Sequence, residues 1–311
     1  MQRFINFLAP LSIGLLLVYV LFDQSTRVEE PPAVASPELE PIPVSENFQP
    51  FVAVSYDLPQ SISFAGEAVP LQQPDVRERL DRELQVNIYL QSSTLFMLKR
   101  ANRWLPRMTE ILKAHNIPDD FKYLPLIESG LVNGVSPKEA VGYWQIREAA
   151  GKELGMEITN EVDERYDPLK STEAACKYLK NAYTKLGSWT LAAASYNRGV
   201  AGIKSDLQDQ QVDDYYDAHL NDETARYVFR ILAIKEIFEH PDKYGFKLKA
   251  EHLYQPEELK LVTVTETLPS LVTFAKSQGS NYKILKRHNP WLRQPKLTVK
   301  KGKVYHIALP V

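Results

Sequence analysis

Between Ile117 and Ile146 the chain reads IPDDFKYLPLIESGLVNGVSPKEAVGYWQI, and one carboxylate in it stands apart from the rest. The pattern predicts a helix that Pro118 enters at the first position, with Asp119 and Asp120 in the first turn, where the helix dipole favours anions, and Gly130 closing it. At about 100° per residue, Ile117, Phe121, Leu124 and Glu128 share one face, so a glutamate ends an apolar stripe. Burial disfavours the ionised carboxyl, and a glutamate so placed holds its proton closer to neutrality, as a general acid must. A buried, hydrogen-bonded structural glutamate fits the same pattern and on this helix alone is the commoner outcome. Pro125 interrupts the backbone ladder one turn earlier and is expected to bend the chain just before Glu128.

The neighbours shift that balance towards sugar chemistry. After Ser129 and Gly130 come Gly142, Tyr143, Trp144, Gln145 and Ile146: a glycine that permits unusual backbone, two flat aromatic faces, and an amide that both donates and accepts. Further on, Ser195-Tyr196-Asn197-Arg198-Gly199 ends a helix on which Trp189, Ala192, Ala193 and Tyr196 share a face, with Gly199 placed to cap it. Asn221 is expected to cap another helix carrying Tyr227, Ile231, Ile234 and Phe238 on one side and stopped by Pro241. Tyr227 then points inward, as a core tyrosine or as part of a site.

In their order and spacing, Ile127-Glu128-Ser129, Gly142-x-Trp144-Gln145, Tyr196-Asn197-x-Gly199 and Glu223-Thr224-x-x-Tyr227-Val228 resemble the lytic transglycosylases of the goose-type lysozyme fold, glycoside hydrolase family 23, and especially their membrane-bound type D branch. The likeness runs from about Pro74 to Phe246; Ser195 and Val141 stand where the family more often has alanine. It implies a mainly α, lysozyme-like domain over residues 74–248, Glu128 as the catalytic acid/base, and Ser129, Gly142, Trp144, Gln145, Tyr196, Asn197 and Tyr227 around a peptidoglycan strand, with no metal and no cofactor. Most glycosidases flank the bond with two carboxyl groups. Here Asp119 and Asp120 are expected at the far end of the Glu128 helix, and Glu139, Glu148 and Glu153 at the surface. A lytic transglycosylase needs one, because the muramic acid's own 6-hydroxyl attacks C1 and closes an anhydro ring. The alternatives are a lysozyme-like hydrolase that uses water, or a non-catalytic wall-binding protein.

The other elements frame this centre. Apolar residues at three- and four-residue spacing from Pro74 through LDRELQVNIYL and TLFMLKRANRWLPRMTEILKAH predict scaffold helices, and Asp167-Pro168 starts another that runs to Leu186 and is closed by Gly187. From about Lys260, β-branched KLVTVTETL, two helix-like pieces and GKVYHIALP predict a small βααβ unit over residues 258–311. Through Glu266-Thr267-Leu268, Asn289-Pro290 and Lys301-Gly302 it resembles a LysM domain, a peptidoglycan-binding module, although Thr265-Glu266 replaces the usual glycine-aspartate of the first loop. Residues 260–311 hold ten Lys or Arg against one Glu, whereas the whole chain has a formal net charge of -2. A basic module suits an acidic polymer, and the overall balance offers nothing to nucleic acid.

The chain's 311 residues, 44% hydrophobic, allow a sizeable core and about two domains. Its single cysteine, Cys176, forms no intramolecular disulfide and sits mid-helix as a small hydrophobe. Phe4 to Phe22 is a 19-residue uncharged run after Arg3, long enough to span a bilayer, so residues 1–22 are a signal anchor or a signal peptide; with no small-residue cleavage site close behind, the expectation is an uncleaved anchor in the inner membrane with the bulk of the chain in the periplasm. Residues 23–73, rich in proline and glutamate, are expected to be a tether, part of which could lie along the folded domain.

Overall fold

The longest helices supply the frame. α1 (Pro74–Tyr89) begins with a proline and packs along α8 (Asp222–Glu239), burying Val76, Leu80, Leu84 and Ile88. α2 (Gln91–Ala114) lies against α5 (Pro168–Leu186), whose N-cap Asp167 accepts the backbone N–H groups of Leu169 and Lys170. At the centre is α6 (Trp189–Arg198), with Ala192, Ala193, Ala194 and Ser195 all buried; these small side chains let α5, α7 (Val200–Gln210) and α8 pack against it. This computed structural model describes residues 53–311. The expected anchor and the tether up to residue 52 lie outside the described residues. Among the described residues no helix is long and apolar enough to cross a membrane.

Two expectations change. The stretch from Ile117 to Gly130 is not one helix: a 3-10 turn (Asp119–Tyr123) leads into α3 (Leu124–Ser129), with Pro125 in its first turn, and a loop then runs to α4 (Glu148–Glu153). Proline cannot donate to the preceding turn, so the ladder restarts there. The tether expected over 23–73 also ends early. Strands β1 (Ser63–Phe64) and β2 (Glu67–Ala68) form a short hairpin, and the fully buried Phe64 meets Phe121 edge-to-face at 5.0 Å. The Glu67 carboxylate accepts N–H groups from Trp189 (2.6 Å) and Thr190 (2.9 Å) at the start of α6. Asp120 accepts from Ala65 N–H and from Lys235, both at 2.7 Å. Two-residue strands leave no usable periodicity in the sequence, which is why the hairpin read as linker.

After α8 the chain forms a β-α-α-β unit. β3 (Leu259–Val264) pairs antiparallel with β4 (Tyr305–Pro310), enclosing α9 (Leu271–Ser277) and α10 (Tyr282–His288). Ser270 and Asn281 cap the two helices through their side chains. Leu271, Ala275, Leu285, Trp291, Leu292, Leu297, Ile307 and Leu309 fill its core, and Val162 of the helical domain belongs to the same cluster.

Candidate active site

Glu128 occupies the last turn of α3, partly exposed, at the place where two hollows of about 510 and 660 Å³ share Ile127, Glu128, Glu223 and Arg230 as lining. A chain-like substrate can therefore continue on both sides of this carboxyl. Tyr227, buried on α8, donates its hydroxyl to Glu128 Oε1. Arg230, one turn further along α8, donates to the Ile127 carbonyl and stands close to the carboxyl. Burial raises the Glu128 pKa; the Tyr227 hydrogen bond and the Arg230 charge oppose this, while Glu223 adds to it, and the balance stays upward. Burial, reinforced by the charge of Glu128, holds the Tyr227 and Tyr196 hydroxyls well above their usual pKa, so both remain donors.

The loop facing Glu128 has unusual backbone. Gly142 has φ +79°, and a Cβ there would lie 2.1 Å from the Arg165 carbonyl oxygen. Gln145 has φ +49° and donates from its amide to the Gly142 carbonyl (2.8 Å) while lining the smaller hollow. Strain of this kind in a non-glycine residue persists only where the surroundings fix it. Those surroundings include the Ser129 hydroxyl, 2.8 Å from the Tyr143 carbonyl, and the Tyr196 hydroxyl, which donates to the Trp144 carbonyl at 2.8 Å.

Of the residues expected around a substrate, Gln145, Tyr196 and Asn197 line one hollow with Glu128, Ser129 lines the other, and Tyr227 touches the Glu128 carboxyl. Trp144 does not face the cleft. Its side chain is fully buried and donates from Nε1 to Thr172 Oγ1 at 2.8 Å, so the indole is a core anchor for the loop. Gly142 likewise acts through its backbone. Asn197 is tied at the rim to Glu223 (3.0 Å) and to the Thr224 hydroxyl (2.8 Å).

Three residues lining the hollows escaped the sequence reading. Arg230 carried a signal, being a cation three residues after Tyr227 and flanked by the apolar runs Tyr227-Val228-Phe229 and Ile231-Leu232-Ala233-Ile234. Glu223 was seen only as part of a motif, and its side chain reaches the rim. Glu83, buried on α1, lines the larger hollow and is gripped by Arg226 at 2.6 and 3.2 Å, a pairing across 143 residues that no local pattern announces.

Comparison with known proteins adds two domain matches: residues 109–218 match the transglycosylase SLT domain, and residues 260–311 the soluble lytic transglycosylase C-terminal LysM-like domain. The chain carries an SLT domain followed by a LysM-like domain. Glu128, Gln145 and Tyr196 fall inside the SLT match, whereas Tyr227 and Arg230 lie beyond its end. The chain is 28% identical over 218 residues to the membrane-bound lytic murein transglycosylase D of Escherichia coli K12, covering 64% of this chain and 47% of that protein, and equally so to its counterpart in E. coli O6:H1. It thus spans about half the length of these curated relatives. Among solved structures, the 70 kDa soluble lytic transglycosylase of E. coli aligns with 49% of this chain and 26% of its own, at 18% identity and a TM-score of 0.39.

Proposed function

We propose that this chain is a lytic transglycosylase that cleaves the MurNAc-β-1,4-GlcNAc bond of peptidoglycan and leaves 1,6-anhydro-MurNAc ends. The observation that carries it is Glu128: a carboxyl with raised pKa, hydrogen-bonded by Tyr227, midway along a cleft in an SLT domain. In the reaction Glu128 gives its proton to the glycosidic oxygen as the C1–O bond breaks. The resulting carboxylate is stabilised by the Tyr227 hydroxyl and the Arg230 charge. It then takes the proton from the muramic 6-hydroxyl as that oxygen bonds to C1, which restores the acid. Holding the 6-hydroxyl against C1 exploits the high effective molarity of an intramolecular attack. The other carboxylates lining the hollows are engaged: Glu83 by Arg226 and Arg82, Glu223 by Asn197 and Lys138.

A second reading, a lysozyme-like hydrolase, draws on Glu223. Its hydrogen bond from Asn197 and the charge of Lys138 hold its pKa down, so an ionised carboxylate shares a hollow with Glu128. Digestion of purified cell wall in isotopically labelled water separates the two. The lytic reaction gives unlabelled muramic ends one water lighter, and hydrolysis gives labelled reducing ends. Glu128→Gln should lower turnover by ~10²–10⁴-fold in either case, with the fold retained. Full activity in that variant excludes both readings.

The same proposal places the enzyme in the cell envelope, anchored through Phe4–Phe22 with its domains on the periplasmic face, and gives the basic LysM-like domain the task of holding the acidic wall polymer.

A further inference from the structure

The LysM-like domain does not hang from the helical domain by its linker alone. It grips one segment, residues 157–166, along its length. The Asp163 N–H donates to the Trp291 carbonyl (2.8 Å) and the Arg293 N–H to the Glu161 carbonyl (2.7 Å), and Val162 and Leu292 form an antiparallel bridge. The Glu161 carboxylate accepts the Thr298 N–H (2.7 Å), Glu157 accepts the Tyr305 hydroxyl (2.7 Å) and pairs with Lys303 (2.6 Å), and the Arg293 guanidinium lies 3.7 Å from the centre of the Tyr166 ring. Val162 is 2% exposed inside the shared cluster.

The opposite side of the same segment carries the strained catalytic loop. Arg165, 7% exposed, forks onto Asp163 (3.0 and 2.7 Å) and turns its remaining N–H groups to the carbonyls of Ile146 (3.3 Å) and Glu139 (3.4 Å). Its own carbonyl is the wall against which Gly142 closes. The Asn133 amide donates to the Tyr166 carbonyl at 2.8 Å. Asp163 thus holds the LysM-like domain through its backbone N–H and Arg165 through its carboxylate.

We infer that the LysM-like domain braces the catalytic loop, and that Arg165 and Asp163 are positioning residues transmitting this support to Gln145 and the cleft. The domain then serves bond cleavage even on a substrate too small to need a second binding site. The inference rests on the proposed reaction for its kinetic readout but not for its structural one.

The test uses the full chain with a short soluble glycan, so that wall retention plays no part. Arg165→Met removes the fork, Arg165→Lys keeps the charge but not the two carbonyl contacts, and the pair Arg293→Ala/Tyr305→Phe loosens the docking from the far side without touching the loop. Amide exchange at Val141 and Ile146, which bond each other at 3.0 and 3.1 Å, reports on the loop directly. Arg165→Met should speed that exchange and lower kcat about ten-fold or more per folded molecule with KM nearly unchanged, because misplacement by an ångström far from the reacting atoms can cost ~10²-fold. Arg165→Lys should recover part of the loss, and the docking pair should change both readouts in the same sense, more weakly. If Arg165→Met fails to fold, the docking pair decides alone. Unchanged loop exchange in the docking pair, or faster exchange at unchanged kcat, overturns the inference. Retained activity in Glu128→Gln counts instead against the proposed reaction and leaves the exchange result standing.

Discussion

The LysM-like domain and the Glu128 cleft are built by opposite means. In the former, side-chain N-caps at Ser270 and Asn281 set two short helices locally and β4 carries its own alternating burial, the β3–β4 pairing alone closing the unit end to end. In the cleft the decisive contacts join separate elements, across 19 residues from Arg165 to Ile146 and 52, 99 and 143 for Tyr196 to Trp144, Tyr227 to Glu128 and Arg226 to Glu83. The backbone there sits at positive φ at Glu139, Gly142 and Gln145. A region that folds by local rules tolerates local changes. A region held by distant groups against strain does not.

Two glycines in nearly the same conformation make the sharpest attempt to break that comparison. Gly142 and Gly302 have φ +79° and +81°, so alanine at either meets the left-handed penalty, about 1–2 kcal/mol. At Gly302 a Cβ meets nothing within 4 Å, whereas at Gly142 it would lie 2.1 Å from a backbone oxygen that cannot move alone. Gly302→Ala should lose only the conformational penalty on denaturant unfolding, with activity on soluble glycan intact. Gly142→Ala should lose markedly more stability and most of its turnover, as the loop is driven off Arg165. Equal losses in the two variants would mean that the cleft is no more interdependent than the LysM-like domain.

The same contrast explains what the sequence made visible. The helix from Pro168 to Leu186, with Asp167 as cap and Gly187 after it, is legible because capping is local, and so are the Asn221 cap and the β-α-α-β order. Glu128 was legible as a carboxyl ending an apolar stripe, a pattern that survives the division into a 3-10 turn and α3 because Ile117, Phe121 and Leu124 are all buried nonetheless. Trp144 was not: an aromatic beside a glycine reads equally as a sugar platform or a core anchor, and only Thr172, 28 residues away, decides. The Phe64 hairpin leaves no periodicity and is fixed by Phe121 and the start of α6, far along the chain, while the Asp163–Arg165 pair is local in itself and gains its role only from the Ile146 and Glu139 carbonyls, 19 and 26 residues away.

Tyr227 offers a milder test within the cleft. Tyr227→Phe keeps the ring in the core and removes only the donor to Glu128. Its hydrogen bond opposes the upward shift of the Glu128 pKa, so its loss should move the alkaline limb of kcat, where the acid loses its proton, to higher pH. The maximal rate should fall by about ten-fold, the order expected for a hydrogen bond to a charged group, because the carboxylate formed on bond cleavage loses a stabilising partner. A pH profile that keeps its alkaline limb while the rate falls would assign Tyr227 to packing alone.

The smallest effect concerns stability, and its sign is opposite to that of the catalytic variants. Because burial raises the Glu128 pKa above the ordinary glutamate range, the folded chain holds this proton more tightly than the unfolded chain does. Below the unfolded pKa both states are protonated and the group costs nothing. As pH rises past it, the unfolded chain ionises first and gains free energy relative to the folded one, until Glu128 also ionises and the difference levels off. Glutamine in its place has no proton to lose. Thermal unfolding of Glu128→Gln and of the native chain should therefore nearly coincide in mild acid, with the variant melting progressively higher as pH approaches and passes neutrality. Calorimetry across that range checks it, and a variant that melts lower at neutral pH would mean that the Tyr227 and Arg230 contacts stabilise the ionised carboxylate more than burial penalises it. An acid that costs stability when ionised, kept where a glutamine would cost less, is what a catalytic role predicts and a purely structural one does not.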